Sequence, residues 1–335
     1  MDKRPIMAVT MGDPAGIGAE IIVKTLANPK FYRIARPVVV GDARVMKKSL
    51  RFVREPLEIN RINDLSDALF KPGIIDIVHV PNDNVEKIEY GKISKEAGQC
   101  AVSYIFRAIE MALNREVDGV VTGPINKASM HLAGYKQYAG HTEIFADRTN
   151  TKDYAMLLAV DDLYVLHVST HVSLAEACRR VKKERVSKVI ELAHDFIETY
   201  DIPNKTIGIA ALNPHAGEGG AFGREEIEEI LPAIEEARSK GWDVTDPLPP
   251  DTVFVRAKRG QFQVIVVMYH DQGHIPVKVI NFDSGVNVTV GIPIIRTSVD
   301  HGTAFGKADK GTASSASMEA ALALGARMAA AKFYR

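Results

Sequence analysis

The sequence predicts an α/β protein of two domains, and three observations carry that prediction. Short, β-branched apolar runs recur along all 335 residues, with helical patterns between them. The runs are apolar throughout rather than alternating, as strands covered on both faces require. The length also exceeds what one core of ordinary size holds.

In chain order, PIMAVTMG (5–12) reads as a strand entering a glycine turn, and ARPVVVGDA (35–43) repeats that pattern. IIDIVHV (74–80) and VDGVVTG (117–123) follow. Between them lies 94–115, whose apolar positions recur at three and four and so mark a helix. YAMLLAV (154–160) and LYVLHVST (163–170) stand too close for a helical crossover, so antiparallel or mixed pairing is expected there. KTIGIAALN (205–213), QVIVVMYHD (263–271) and GVNVTVG (285–291) complete the strands. Long helices are expected over 173–200, 224–240 and 314–333, the last Ala-rich. DPLPPDT (246–252) reads as a rigid loop, and Gln272-Gly273-His274-Ile275-Pro276 argues against a long regular helix. Polar, glycine-rich segments near 135–140 and 295–305 suggest a discontinuous domain, 1–137 with 297–335, around a central domain, 138–296.

Lys plus Arg and Asp plus Glu number 42 each, a formal charge of zero that gives no global attraction for nucleic acid or an anionic membrane. Two cysteines, Cys100 and Cys178, make no disulfide framework and read as free thiols of a reducing compartment. The first residues have too short an apolar run for a signal peptide, and no stretch approaches a membrane span of about 20 apolar residues. A cytoplasmic protein with a small-molecule partner is expected.

The loop Gly12-Asp13-Pro14-Ala15-Gly16-Ile17-Gly18 follows a strand and precedes a helix, where backbone N–H groups can receive an anion. It has neither the dinucleotide glycine spacing nor a Walker order, so a structural turn has equal standing. His171, His215 and His270 each follow an apolar run at a strand end. Three such imidazoles suit Zn²⁺ and other borderline divalent ions, and nearby carboxylates admit Mg²⁺ or Mn²⁺; singly, each is also an ordinary polar-loop histidine. His167, four residues before His171 on an extended run, is about 13 Å away from it and reads as packed and hydrogen-bonded. Lys278, Asn287 and Arg296 follow near strand ends, and a cationic pair there suits a carboxylate or a phosphate. His141-Thr142 opens a short helix after Gly140 and offers a ring nitrogen, a hydroxyl and helix-start N–H groups.

GDPAGIGAE, TGPINK, GHTE, STH, LNPHAGEGG, PPDT, YHDQG, GVN and IRTSVDHGTAF, in this order, resemble the motifs of the 4-hydroxythreonine-4-phosphate dehydrogenase (PdxA) family. The resemblance spans residues 6 to 332. It implies two α/β domains around a deep cleft, related to isocitrate and isopropylmalate dehydrogenases rather than to the classical Rossmann fold. It implies a homodimer with each active site completed at the subunit boundary. Carried to this chain, it makes His171, His215 and His270 ligands of one divalent metal (Zn, Mg, Mn or Co). His141, Thr142, Lys278, Asn287 and Arg296 become substrate contacts. NAD, or NADP, is the implied cofactor, with its adenine end near His301-Gly302-Thr303-Ala304. Lys278, Asp251 and Asp271 are the candidates for proton handling. HVSTH, PPDTVF and YHDQGHIPVK are most similar to the catabolic branch, which oxidises D-threonate or D-erythronate 4-phosphate at C3 and decarboxylates it to dihydroxyacetone phosphate. The alternative is 4-hydroxythreonine-4-phosphate oxidation in pyridoxal 5′-phosphate synthesis. Gly273-His274-Ile275-Pro276 departs from the more aliphatic segment of the pyridoxal branch, and His274 there either contacts the substrate's C2 end or only shapes the loop.

Overall fold

Residues 2–334 are described by a computed structural model. Their contacts divide the chain into two units: unit 1 runs to Lys152 and resumes at Ile292, and unit 2 is Asp153–Gly291. Unit 1 begins with β1 (Ile6–Thr10), α1 (Gly18–Ala27), α2 (Phe31–Ile34), β2 (Arg36–Gly41), α3 (Ala43–Ser49), β3 (Glu58–Ile62) and β4 (Ile74–His79). α4 (Lys95–Leu113), β5 (Gly119–Thr122), α5 (Lys127–Leu132) and α6 (His141–Arg148) follow. Unit 2 carries β6 (Ala155–Val160), β7 (Leu163–His167), α7 (Leu174–Arg180), α8 (Lys183–Tyr200), β8 (Ile207–Ala210), α9 (Leu231–Ser239) and β9 (Val244–Leu248). It ends with α10 (Pro250–Lys258), β10 (Val264–Val267), α11 (His270–Ile280) and β11 (Val286–Val290). The chain then returns to unit 1 with β12 (Arg296–Val299) and α12 (Ala316–Phe333).

Unit 1 orders its strands β3-β4-β2-β1-β5-β12, every pair parallel. Parallel strands need crossovers, and helices provide most of them, which is why the inner strands carry apolar residues on both faces while the edge strand β3 is largely polar. Ser94 starts α4 by accepting from the Ala97 N–H three residues on, the cap that a Ser directly before a helical run provides. In the first loop, a Cβ on Gly18 would lie 2.0 Å from the Met11 carbonyl oxygen. That glycine is there because the loop folds back on its own strand, which settles its reading toward structure.

Unit 2 is mixed, in the order β11-β6-β7-β10-β8-β9. β6 runs antiparallel to both of its neighbours, β11 and β7, and β7, β10, β8 and β9 are parallel. The β6–β7 connection is a hairpin, with Asp161 at φ 50°, so the antiparallel pairing expected from that short spacing has a local cause. All of β10 is fully buried; each Val or Ile of this kind contributes about 1.5–3 kcal/mol of burial free energy.

Four local expectations need correction. The domain boundaries lie at 152/153 and 291/292, not at 137/138 and 296/297: α6 packs on α4, and β12 pairs with β5 from Arg296 onward. His141, Thr142 and Arg296 therefore belong to unit 1. The helix expected over 173–200 is two helices, because buried Val181 turns inward and Lys182 is extended before α8. The 246–252 segment is the end of β9 and the start of α10, with Pro250 at the first helical position, where its missing N–H costs nothing. Finally, α11 runs straight through Pro276. Buried Gln272 anchors it, donating to the Ala211 carbonyl (2.7 Å) and accepting from the Met268 N–H (2.7 Å).

Both cysteines are free thiols, Cys100 buried. No helix among the described residues is long and apolar enough to cross a membrane.

Candidate active site

Two groups of polar side chains stand out, one in each unit. In unit 1 the first is built on β5, β12 and the start of α6. Arg296 opens β12 and is only 2% exposed. Its Nε and Nη2 donate to the Thr122 hydroxyl at the end of β5 (3.3 and 3.0 Å), and its guanidinium lies 5.6 Å from the Phe145 ring centroid. Burial pulls this guanidinium down to about 9, against the opposing pull of Glu143, so it stays protonated at neutral pH but is poorly solvated. Beside it, burial and the Arg296 charge hold the His141 imidazole well below its ordinary range, so that ring is neutral. Its Nε2 is inaccessible and without a hydrogen-bond partner, although the residue as a whole is half-buried. A strongly cationic fork, a neutral ring nitrogen and the Thr142 hydroxyl at a helix start together suit a molecule that is both anionic and hydroxylated.

The loop 301–304 also belongs to unit 1. The Ile17 N–H donates to the Thr303 carbonyl (3.2 Å), so this loop rests on the first glycine loop. Gly302 faces open space, and the buried His301 Nε2 has no partner. That orphan and that gap fit a ligand edge.

Sequence reasoning missed Asp13 as more than a loop residue. Its Oδ1 accepts from the Ala15 N–H (2.8 Å), its Oδ2 has no partner, and burial pushes the carboxyl up to about 6. The folded state thus holds the Asp13 proton more tightly than the unfolded chain, whose value is near 3.8. Asp13's favourable contribution is full below that value and is lost as pH rises through about 6. Asp13→Asn is expected to stabilise the protein by about 1–3 kcal/mol at about pH 8 and by nothing near pH 4. Urea denaturation at the two pH values checks this; an equal effect at both would contradict it.

In unit 2 the topology brings three segments to one sheet edge. His171, His270 and His215 follow the adjacent parallel strands β7, β10 and β8 respectively. Two of the three rings meet: His171 and His270 have centroids 5.5 Å apart. His270 Nδ1 donates to Asp271 Oδ1 (2.6 Å), which fixes the proton there and leaves Nε2 as the lone pair a metal needs. His215 stands apart, exposed, its ring 6.2 Å from that of Phe222. Its segment, 214–220, has φ between 42° and 77° from His215 through Gly219, a left-handed run rather than a continuation of the extended strand. The donors of His171 and His270 suit a borderline divalent ion, yet among the described residues no three His, Cys, Asp or Glu side chains gather closely enough to hold one.

The remaining expected residues are spread over unit 2. Lys278 is on α11, its ammonium 5.2 Å from the Phe282 ring centroid, and Asn287 is on β11 opposite Leu158 of β6. Asp251 is exposed in the first turn of α10, a helix that packs against the 214–220 segment. His274 is buried, with its ring stacked on that of His270 at 3.5 Å. Glu226, unanticipated, is buried under the His215 loop and accepts from the Leu212 and Asn213 N–H groups (2.9 and 2.8 Å). Its only sequence signal is its place in the 224–240 pattern, which forms a π-turn at Glu226–Ile230 and then α9.

A parallel and a mixed α/β unit, ligand groups at strand ends and no dinucleotide glycine spacing define an α/β enzyme outside the classical Rossmann class. Residues 33–325 match the family described as pyridoxal phosphate biosynthetic protein PdxA, and the chain belongs to that family. It is 44% identical over 332 residues to D-threonate 4-phosphate dehydrogenase of Cupriavidus necator, covering 98% of each chain. To the enzyme of the same name from Salmonella typhimurium it is 45% identical over 324 residues, 96% of this chain and 98% of that one. A crystal structure of 4-hydroxythreonine-4-phosphate dehydrogenase from Klebsiella pneumoniae superposes with a TM-score of 0.89 at 42% identity, covering 97% and 98%. End to end, the chain is a homologue of dehydrogenases.

Proposed function

We propose that this protein oxidises D-threonate 4-phosphate or D-erythronate 4-phosphate at C3, using NAD(P) and one divalent metal, and decarboxylates the β-keto acid to dihydroxyacetone phosphate. The observation that carries this reading is the Arg296–His141–Thr142 arrangement, a buried cation beside a neutral acceptor, in a chain of this family. Such a pocket binds the charged oxygens of the substrate through Arg296 and orients a hydroxyl through His141 Nε2 and Thr142. His171, His215 and His270 are the residues that would hold the metal. When bound, it would polarise the substrate oxygens at C3 and oppose the negative charge that develops on loss of CO₂. Asp271 keeps the His270 ring in one tautomer. Lys278 supplies an ammonium for proton delivery to C2, Asn287 a polar contact, and Asp251 a carboxylate for proton exchange with solvent. The His301-Gly302-Thr303-Ala304 loop is assigned to the adenine end of NAD(P), on its orphan ring nitrogen and open glycine.

Separate kinetic runs with the 4-phosphates of D-threonate, D-erythronate and 4-hydroxy-L-threonine, each with NAD and with NADP, test the proposal through nicotinamide reduction and product analysis. The hydroxy acids are expected to give the higher kcat/KM and dihydroxyacetone phosphate. Preference for the amino acid would shift the reading to the pyridoxal phosphate branch, and no reduction with any substrate would overturn it.

A homodimer is part of the same proposal, with each active site completed by residues across the subunit boundary. Ile275, Val279 and Phe282 are 58%, 80% and 74% exposed at i, i+4 and i+7, an apolar stripe along α11 and just beyond it. A second copy covering this stripe would place the His270 helix at the boundary. Val279→Glu is expected to shift sedimentation from dimer to monomer and to abolish turnover in parallel. A fully active monomer would refute the shared site.

A further inference from the structure

Four histidine rings of unit 2 form a row from the surface into the core. His171 lies 5.5 Å from His270, His270 3.5 Å from His274, and His274 4.9 Å from His167, centroid to centroid. The middle pair is nearly coplanar in orientation, at 10°, so the two rings lie face to face. They are one helical turn apart on α11, the spacing that brings i and i+4 side chains together.

Each ring is held differently. His270 is anchored by Asp271 through Nδ1. His274 is 7% exposed, and its Nδ1 is 3.0 Å from the His270 carbonyl oxygen, an acceptor, so that nitrogen carries the proton. His167 is fully enclosed at the end of β7, with Nδ1 donating to the Met156 carbonyl (3.3 Å). Its Nε2 points at Gly273, where an added Cβ would sit 2.4 Å away. No side chain other than hydrogen fits there. The glycine therefore lets α11 settle on the His167 ring, and His167 in turn packs against His274 at an interplanar angle of 57°.

We propose that His274, supported by His167 across Gly273, is a positioning residue that holds the His270 ring flat and in its Asp271-bonded tautomer. In this role it touches no substrate; the 271–276 segment influences the reaction through the order of the His270 ring. Asp271 alone restrains one ring atom and leaves rotation about that bond open, whereas a stacked face removes it. The inference rests on the reading that His270 serves the active site, and its first readout does not depend on turnover.

The test uses the full-length protein without added metal and ¹⁵N-histidine NMR, with His270→Gln identifying the His270 signals. The wild type is expected to show one Nδ1–H tautomer for His270. His274→Leu, which removes the flat face, is expected to give averaged tautomer shifts, and His274→Phe, which restores a flat face, is expected to return the single form. Titration with Zn²⁺ should show affinity lowered about 10- to 100-fold in the leucine variant and within about threefold of wild type in the phenylalanine variant, the range found when partners of metal-binding histidines are lost. In turnover, kcat should follow the Zn²⁺ affinity while the substrate KM stays level. If the leucine variant does not fold, His274→Gln supplies the same loss of ring face and is read against His274→Phe in the same way. An unchanged His270 tautomer with a raised KM would overturn the proposal in favour of direct substrate contact. Ordered His270 shifts in a protein that reduces no nicotinamide would sustain the positioning role while overturning the proposed function.

Discussion

Arg296→Ala is expected to lower kcat/KM by roughly 30- to several-thousand-fold, the 2–5 kcal/mol that loss of one member of a buried charge contact costs. The motivation is the environment of the guanidinium. It is nearly inaccessible, is bonded to a neutral hydroxyl, and is drawn down to about 9 by burial. An anion arriving there meets a charge that water does not screen. Arg296→Lys should recover only part of the loss, because an ammonium cannot present two parallel donors to a carboxylate or phosphate. A second measurement separates binding from folding: the phosphorylated substrate should raise the melting temperature of the wild type and leave that of the alanine variant unmoved. Equal stabilisation of both proteins would remove Arg296 from the substrate contacts.

His215→Ala is expected to abolish bound metal and to reduce kcat/KM by more than about 100-fold, beyond the effect of losing a mere supporting partner. The fold should survive. His215 is exposed, and the backbone on either side is held by other groups, Glu226 from one direction and packing with α10 from the other. Because His215 sits at φ 53°, His215→Asn is the better-matched control; asparagine tolerates the left-handed region and so removes the imidazole with little backbone cost. Metal content by plasma spectrometry, far-ultraviolet circular dichroism and steady-state kinetics give the answer together. Full activity with unchanged metal in either variant would exclude His215 from the ligand set.

How much of this was legible in the residues depends on whether the cause is local. The strands were readable because runs such as VIVV (264–267) are apolar on both faces, and the hairpin because two such runs nearly touch. The strand-end placement of His171, His215 and His270 followed from the same runs. The orientation of His215 did not, since non-glycine residues His215, Ala216 and Glu218 all adopt positive φ, a conformation that no residue preference announces. Gly273 read as a helix breaker because its reason for being glycine, the His167 ring, lies more than a hundred residues earlier. Asp13 was visible within a glycine loop, but its raised carboxyl comes from burial, which outweighs the lowering by Ser129 and Asn126, neighbours that no local pattern names. The domain boundary was misplaced because α6 looks like part of the central block until its packing on α4 is seen.

The interruption of unit 1 by residues 153–291 has a consequence for how the molecule is made. Unit 2 is one unbroken stretch and holds all its strands as soon as it has been synthesised. Unit 1 starts earlier and finishes later: β12 and α12 reach β5 only after the whole of unit 2 has emerged, so until then β5 presents an open parallel edge. Arg296 arrives on that last strand. A nascent chain thus carries the His171 and His270 segments well before Arg296, and the anion contact proposed for that guanidinium can form only once β12 has joined β5.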